Sequence, residues 1–357
     1  MESEDRAMSK NISYSYVPDW GWTGKSFRIE HERVDPSEVS LSLAPRGKEP
    51  FEVPVLSVET DGRTLEITAE EFDYRSNWTL KVGSDAYTRK EMSEEVCEGL
   101  EVFDKKKDGN VLYRLYTPGT RGPRPMILFL HGGGNGGDDL ITHIAADYGC
   151  SQFAQKYPDF YVMAPQAPEP DMSVFLANFT KMDFAHSDQT GEFGWYREYL
   201  AEICDLIRKM IADGKVDRRR VYVTGMSMGG AGTIRAMSVG SDLFAAGVPV
   251  CPSMTPETFN ILRSMTHAKV WVATSYVDHT LYRHKYIVDA IMELTAAGNR
   301  DAHQTIYSPE ELQAYGIATD PDLSFPELFS QNHMSWVPTY HDEHGIMSWL
   351  TQQVRED

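Results

Sequence analysis

From residue 111 onward the chain carries short apolar runs, at 111–116, 126–130, 160–164, 221–224, 246–250 and 270–275, separated by segments long enough for helices. Runs this short with few polar interruptions suit strands buried on both faces, and a parallel sheet covered by helices buries them so. Between two of the runs, Tyr199, Leu200, Ile203, Leu206, Ile207 and Ile211 recur at three- and four-residue spacing, as an amphipathic crossover helix requires. A further strand is expected at 303–307. This part of the chain therefore reads as an α/β layered domain.

The first hundred residues follow a different rule. Residues 26–30, 38–43, 64–68 and 77–82 alternate with the two-residue period of half-buried strands, and Asp61-Gly62 between two of them is a hairpin signal. A small antiparallel β-sandwich is expected over 1–98, with no cluster of histidines, cysteines or carboxylates to suggest chemistry. The charged segment 104–109 reads as a turn leading into the strand at 111–116, and the larger domain takes 99–357. A chain of 357 residues, 41% hydrophobic, has enough apolar side chain for both cores.

Charge narrows the partners. Thirty-four Lys and Arg against 53 Asp and Glu leave a net charge of −19, a field that repels nucleic acid and anionic membrane surfaces. No apolar stretch approaches the roughly 18 residues that suggest a bilayer-spanning helix. The opening MESEDRAMSK lacks a basic segment followed by an apolar one, so a cytoplasmic location is expected, or secretion if a leader was removed. Cys97, Cys150, Cys204 and Cys251 are widely spaced, which fits reduced thiols rather than disulfides or zinc. In a cytoplasmic chain the sequons at Asn11, Asn77 and Asn178 are chance matches.

The chemistry-bearing residues sit at the ends of the apolar runs. Gly225-Met226-Ser227-Met228-Gly229 follows 221–224 and precedes the small residues Gly230, Ala231 and Gly232. Glycines around a serine at a strand-to-helix junction permit a cramped turn that lifts the hydroxyl above the sheet. The pentapeptide is common by chance, and its setting gives it weight. His131-Gly132-Gly133-Gly134 follows 126–130, where a hydrolase needs backbone N–H groups facing a developing oxyanion. Gly133 and Met228 are the candidate donors. A phosphate cradle is the rival reading, but no Gly-Lys-Ser/Thr follows and Asp138-Asp139 would repel phosphate.

A serine nucleophile needs an imidazole to take its proton and a carboxylate to orient that imidazole, in the chain order Ser, acid, His. Asp278, just past the run 270–275, is the acid candidate; Asp289 reads as a helix-surface charge and Asp301 as a charge preceding a strand. His333, His341 and His344 compete as base. His333 lies in an irregular approach to the terminal helix, whereas His344 abuts the core-facing pattern of 345–350. His131 is expected to shape the glycine loop.

Leu130-His131-Gly132-Gly133-Gly134, Gly225 to Gly230, Asp278 and Asn332-His333-Met334-Ser335-Trp336 together resemble the α/β-hydrolase superfamily, most of all carboxylesterases related to polyhydroxybutyrate depolymerases and feruloyl esterases. The resemblance spans about residues 100–352. It implies a mostly parallel central sheet with helices on both faces, and its His-x-x-Trp segment favours His333 as base. Some members carry an immunoglobulin-like N-terminal domain, and Asp19-Trp20-Gly21 is similar to their opening.

The expected activity is a serine carboxylesterase without metal or organic cofactor, acting on a small or glycan-linked ester with a feruloyl, acetyl or short-chain acyl group. Phe175, Phe179, Phe184, Phe193 and Trp195 would then line an aryl or apolar pocket, or pack as core. Two alternatives stand: a serine peptidase of prolyl-oligopeptidase type, and a non-catalytic protein binding glycan through Trp20, Trp22 or Trp78. A homo-oligomer is left open.

Overall fold

The protein is described by a computed structural model covering residues 10–18, 21–32, 34–45, 48–145, 150–169, 194–278, 283–317, 319 and 332–356. Asp19, Trp20, Phe175, Asn178, Phe179, Phe184 and Phe193 lie outside the described residues. The chain divides into two compact units, Met1–Val102 and, apart from Ala145–Asp147, Phe103–Asp357; the sequence border was expected between 98 and 99.

In the first unit, strands β1 (Ile12–Tyr16), β2 (Thr23–Glu30), β5 (Val55–Thr60), β6 (Thr64–Asp73) and β9 (Glu94–Glu98) form one sheet, ordered β5-β6-β2-β1-β9. Strands β3 (Val39–Ala44), β4 (Phe51–Val53), β7 (Asn77–Val82) and β8 (Asp85–Tyr87) form the other, ordered β4-β3-β7-β8. All pairings are antiparallel except β1 with β9. The alternation read in the sequence is the alternation observed: Val39, Leu41 and Leu43 are buried on β3, and Trp78, Leu80 and Val82 on β7. The sheets meet through aromatic rings, Trp78 of β7 lying 5.1 Å from Phe27 of β2 and 6.3 Å from Phe72 of β6. Asp61 caps the hairpin as expected, its carboxylate accepting the N–H groups of Arg63 and Thr64 at 2.9 and 2.8 Å. Trp22 and Trp78 are 1% and 3% exposed, so the glycan-binding reading fails on both: they are core residues with no face to offer a sugar.

The second unit is built on an eight-stranded sheet of β10 (Phe103–Asp108), β11 (Val111–Tyr116), β12 (Arg124–Leu130), β13 (Tyr161–Gln166), β14 (Val216–Met226), β15 (Ala246–Val250), β16 (Val270–Ser275) and β17 (Ala302–Tyr307). Its order is β10-β11-β13-β12-β14-β15-β16-β17, antiparallel from β10 to β13 and parallel thereafter. Every residue of β15 is buried, as are the last six of β12 and of β14, which requires cover on both faces. The helices described are α1 (Thr142–Ala145), α2 (Cys150–Lys156), α3 (Arg197–Ala212), α4 (Met228–Val239), α5 (Pro256–Ser264), α6 (Arg283–Ala296), α7 (Pro309–Gln313), α8 (Trp336–Tyr340) and α9 (Ile346–Gln352). Tyr199, Leu200, Ile203, Leu206 and Ile207 form the buried stripe of α3. Among the described residues no helix is long and apolar enough to cross a membrane.

Residues 104–108 correct the sequence reading. They are not a turn but an edge strand, β10, paired with β11, and the reversal falls on Gly109-Asn110. The run was illegible as a strand because its side chains after Phe103 are all exposed and charged; backbone hydrogen bonding holds it, and lysines on an edge discourage pairing with another chain.

Trp78→Ala is expected to cost about 3–5 kcal/mol in unfolding of the first unit. Phe51→Ala, at a position 50% exposed on an edge strand, should cost under about 0.5 kcal/mol. Denaturant melts of the two variants check the difference.

Candidate active site

β14 ends at Met226 and α4 begins at Met228, leaving Ser227 to make the whole turn at φ 58, ψ −114. For a residue with a Cβ this backbone costs on the order of 1–3 kcal/mol, and it persists only where the surroundings impose it. Here the Ser227 N–H donates to the Val250 carbonyl at 2.9 Å, and its carbonyl accepts from Ala231 and Ser253 at 3.1 and 3.2 Å. The flanking glycines are steric requirements. A Cβ at Gly229 would lie 1.9 Å from the Leu130 carbonyl oxygen, and one at Gly225 would lie 2.4 Å from the same atom. The end of β12 and the first turn of α4 are therefore in backbone contact, which brings the glycine loop alongside: a Cβ at Gly132 would sit 3.8 Å from Ser227 Cβ.

Asp278 lies in the turn after β16, its N–H reaching the Ser275 carbonyl at 3.3 Å. It accepts a hydrogen bond from His333 Nδ1 at 2.7 Å, with the two side chains 1% and 3% exposed. A proton held on Nδ1 by a carboxylate leaves the basic lone pair of the neutral imidazole on Nε2. The Trp336 ring meets the imidazole edge-on at 5.5 Å. Ser227 and Asp278 thus stand past the carboxyl ends of parallel strands in one sheet, and His333 is fastened to the acid. The rival histidines are elsewhere: His344 pairs with Glu311 at 2.6 Å, and His341 is exposed at the end of α8 with its ring 5.2 Å from Tyr315. Asp289 is in α6, bonded to Lys285 at 3.1 Å, and Asp301 precedes β17.

In the glycine loop, His131 is fully buried, and burial pushes its imidazole down to about 4. Neutral, it donates from Nδ1 to the Gly132 carbonyl at 2.8 Å and accepts the Ala167 N–H on Nε2 at 3.0 Å. Because the peptide is planar and trans, holding the Gly132 oxygen also fixes the opposite direction of the Gly133 N–H. His131 shapes the loop in this physical sense. Gly133 is exposed, and the Met228 N–H belongs to the first turn of α4, where a helix has no intrahelical acceptor to offer. The end of β13 braces the loop, Gln166 donating to the Asn135 carbonyl and to Asp139 at 3.3 and 2.9 Å and accepting from the Leu140 N–H at 2.7 Å. Desolvation opposes the Asp139 charge, yet hydrogen bonds from Thr142, Ile141 and Gln166 bring its carboxyl down to about 2. His143, behind His131 at 6.0 Å between rings, is lowered to about 3 by burial and by His131, and donates to the Ala164 carbonyl at 3.0 Å.

Sequence reasoning missed Gln166 and the pair Arg235–Glu257, whose partners are distant in the chain. Of the two readings offered for Trp195, pocket lining or core, burial favours the second: its side chain is fully buried, with the indole N–H donating to the His131 carbonyl at 3.0 Å. Among the described residues no three of His, Cys, Asp and Glu converge as a metal ion would require.

Residues 188–299, which include Ser227 and Asp278 but not His333, match the model of the prolyl oligopeptidase family. No curated protein sequence matches the chain. Among solved structures, a thermostable esterase superposes with a TM-score of 0.63 at 19% identity, over 97% of this chain and 100% of that one. An acylaminoacyl peptidase bound to a peptidyl chloromethyl ketone gives 0.47 at 12% identity, over 99% of this chain and 57% of its own. Esterase 2 of Thermogutta terrifontis, phosphoramylated by tabun, gives 0.42 at 14%, over 69% and 96%. The first likeness, with the strand order, establishes an α/β-hydrolase fold.

The buried imidazoles set a pH dependence. With folded values of about 4 and about 3 against an ordinary 6.5, the unfolded chain binds more protons than the folded one between those limits. Stability is therefore full above pH 6.5 and falls steadily as pH drops toward 4. Urea unfolding at pH 7 and pH 5 should show this loss, and His143→Gln, which keeps a donor for the Ala164 carbonyl, should shrink it.

Proposed function

We propose that the protein is a serine carboxylesterase that hydrolyses carboxylic esters through an acyl-enzyme. The observation that carries the reading is the buried 2.7 Å hydrogen bond from His333 to Asp278, in the loops past the same sheet rim at which Ser227 is held in its strained turn. In this mechanism Ser227 Oγ attacks the ester carbonyl as His333 Nε2 takes its proton, and Asp278 stabilises the imidazolium that forms. The N–H groups of Gly133 and Met228 hold the oxyanion, each donor being worth roughly 100- to 1,000-fold in rate. His333 then protonates the departing alcohol, and water, deprotonated by the same imidazole, releases the acid. None of these steps draws on a metal or organic cofactor.

Acetyl, short-chain and hydroxycinnamoyl esters, free or glycan-linked, are the acyl classes we assign. The thermostable esterase whose fold spans both units supports ester over amide as substrate. A peptidase reading is favoured by the prolyl oligopeptidase match over 188–299. Against it stands the first unit, whose sheets of five and four strands are no propeller. We read that unit as an immunoglobulin-like sandwich, supported by the parallel pairing of its first and last strands, with a stabilising role. A cytoplasmic location accords with four buried cysteines at separate places.

Turnover of p-nitrophenyl acetate, p-nitrophenyl butyrate and methyl ferulate tests the proposal. Ser227→Ala and His333→Ala should each lower kcat by at least about 10,000-fold. His344→Ala should stay within twofold of wild type. Activity surviving Ser227→Ala would overturn the mechanism, and cleavage of proline peptides without ester turnover would favour the peptidase.

A further inference from the structure

The two oxyanion donors come from separate pieces of chain, the loop after β12 and the first turn of α4, so the gap between them needs a spacer. Trp195 touches both. On the loop side its indole N–H donates to the His131 carbonyl at 3.0 Å, and its ring lies 4.9 Å from the His131 imidazole. On the helix side, a Cβ at Gly232 would fall 2.7 Å from Trp195 Cγ, so the indole is seated directly on the α4 backbone. The preceding residue continues the contact: Gly194, at φ 79, lies so near Met228 that a Cβ there would meet its Sδ at 2.1 Å.

Trp195 is anchored through its backbone as well. Arg235 of α4, 2% exposed, reaches the Trp195 carbonyl at 3.5 Å from Nη1, and is held by Glu257 of α5 through Nε at 3.0 and 3.1 Å and Nη2 at 2.8 Å. A guanidinium forked onto one carboxylate in a buried setting has little freedom to shift. The indole is thus fixed to the nucleophile helix and presents one directional donor to the glycine loop.

We infer that Trp195 is a positioning residue for the oxyanion hole: its indole N–H holds the His131 carbonyl, and through His131 sets where the Gly133 N–H stands relative to that of Met228. This rests on the esterase reading above. The link is stepwise. Trp195 fixes the peptide between His131 and Gly132, and the His131 side chain fixes the next, which carries the Gly133 N–H. Such a residue acts mainly in the transition state, because the spacing of the two donors counts most when the carbonyl oxygen carries full charge.

Trp195→Phe keeps an aromatic ring and removes the donor. Benzothienylalanine at position 195, in which sulfur replaces the indole N–H, does so with the shape retained. Both should lower kcat for p-nitrophenyl acetate about tenfold with KM within about twofold. Affinity for an aryl trifluoromethyl ketone, which forms a tetrahedral oxyanion on serine, should fall by the same factor. Burst titration should still count one acylating site per chain, and the melting temperature of the benzothienylalanine protein should stay close to wild type. Wild-type kcat and ketone affinity in the benzothienylalanine protein would overturn the inference, as would losses that only track the folded fraction. If Ser227→Ala retains full activity, the esterase reading itself fails and takes the inference with it.

Discussion

The second unit turns on a backbone contact: the Leu130 carbonyl, at the end of β12, lies where no side chain could stand at Gly225 or Gly229. That approach draws the first turn of α4 against the strand carrying the glycine loop, and both the Ser227 turn and the candidate oxyanion donors follow from it. Cβ atoms at either glycine would force the helix outward, and the hydrogen bonds that impose the unusual Ser227 backbone, from its N–H to the Val250 carbonyl and from the Ala231 and Ser253 N–H groups to its carbonyl, would be lost together. The strained turn is held by close packing on all sides rather than by any one interaction.

Buried imidazoles divide the electrostatic work. Among the described residues His131 and His143 make their hydrogen bonds to backbone groups, so desolvation dominates and leaves them neutral, His131 as a fixed donor to the glycine loop and His143 as one to β13. His333 has a carboxylate, so a positive charge forming on it during reaction would meet a negative one 2.7 Å away. The same side chain is a structural peg in one place and a candidate proton carrier in the other, and the partner decides which.

Legibility followed burial. The runs 246–250 and 270–275 and the alternating strands of the first unit coincide with observed strands because their faces are buried in regular patterns. The edge strand β10 did not announce itself, since backbone pairing alone holds it. Ser227 was marked by local sequence: a strand, glycines and small residues must be contiguous for the turn to form. His333 could be separated from His341 and His344 by its irregular setting and by a resemblance, but periodicity gave no reason for its pairing with Asp278, 55 residues away.

What the sequence by itself determined are the features written into neighbouring residues: the layered α/β class, the strand-to-helix turn at Ser227, the glycine loop after β12 and the hairpin at Asp61. Tertiary structure alone decided the contacts between distant segments, among them the Asp278–His333 hydrogen bond, the Gln166 brace and the seat of Trp195 on Gly232. The physical reason is range. Backbone geometry and hydrophobic period act over a few residues and leave a pattern in the chain, whereas a hydrogen bond between distant side chains depends on strand order and loop path, which no local pattern encodes.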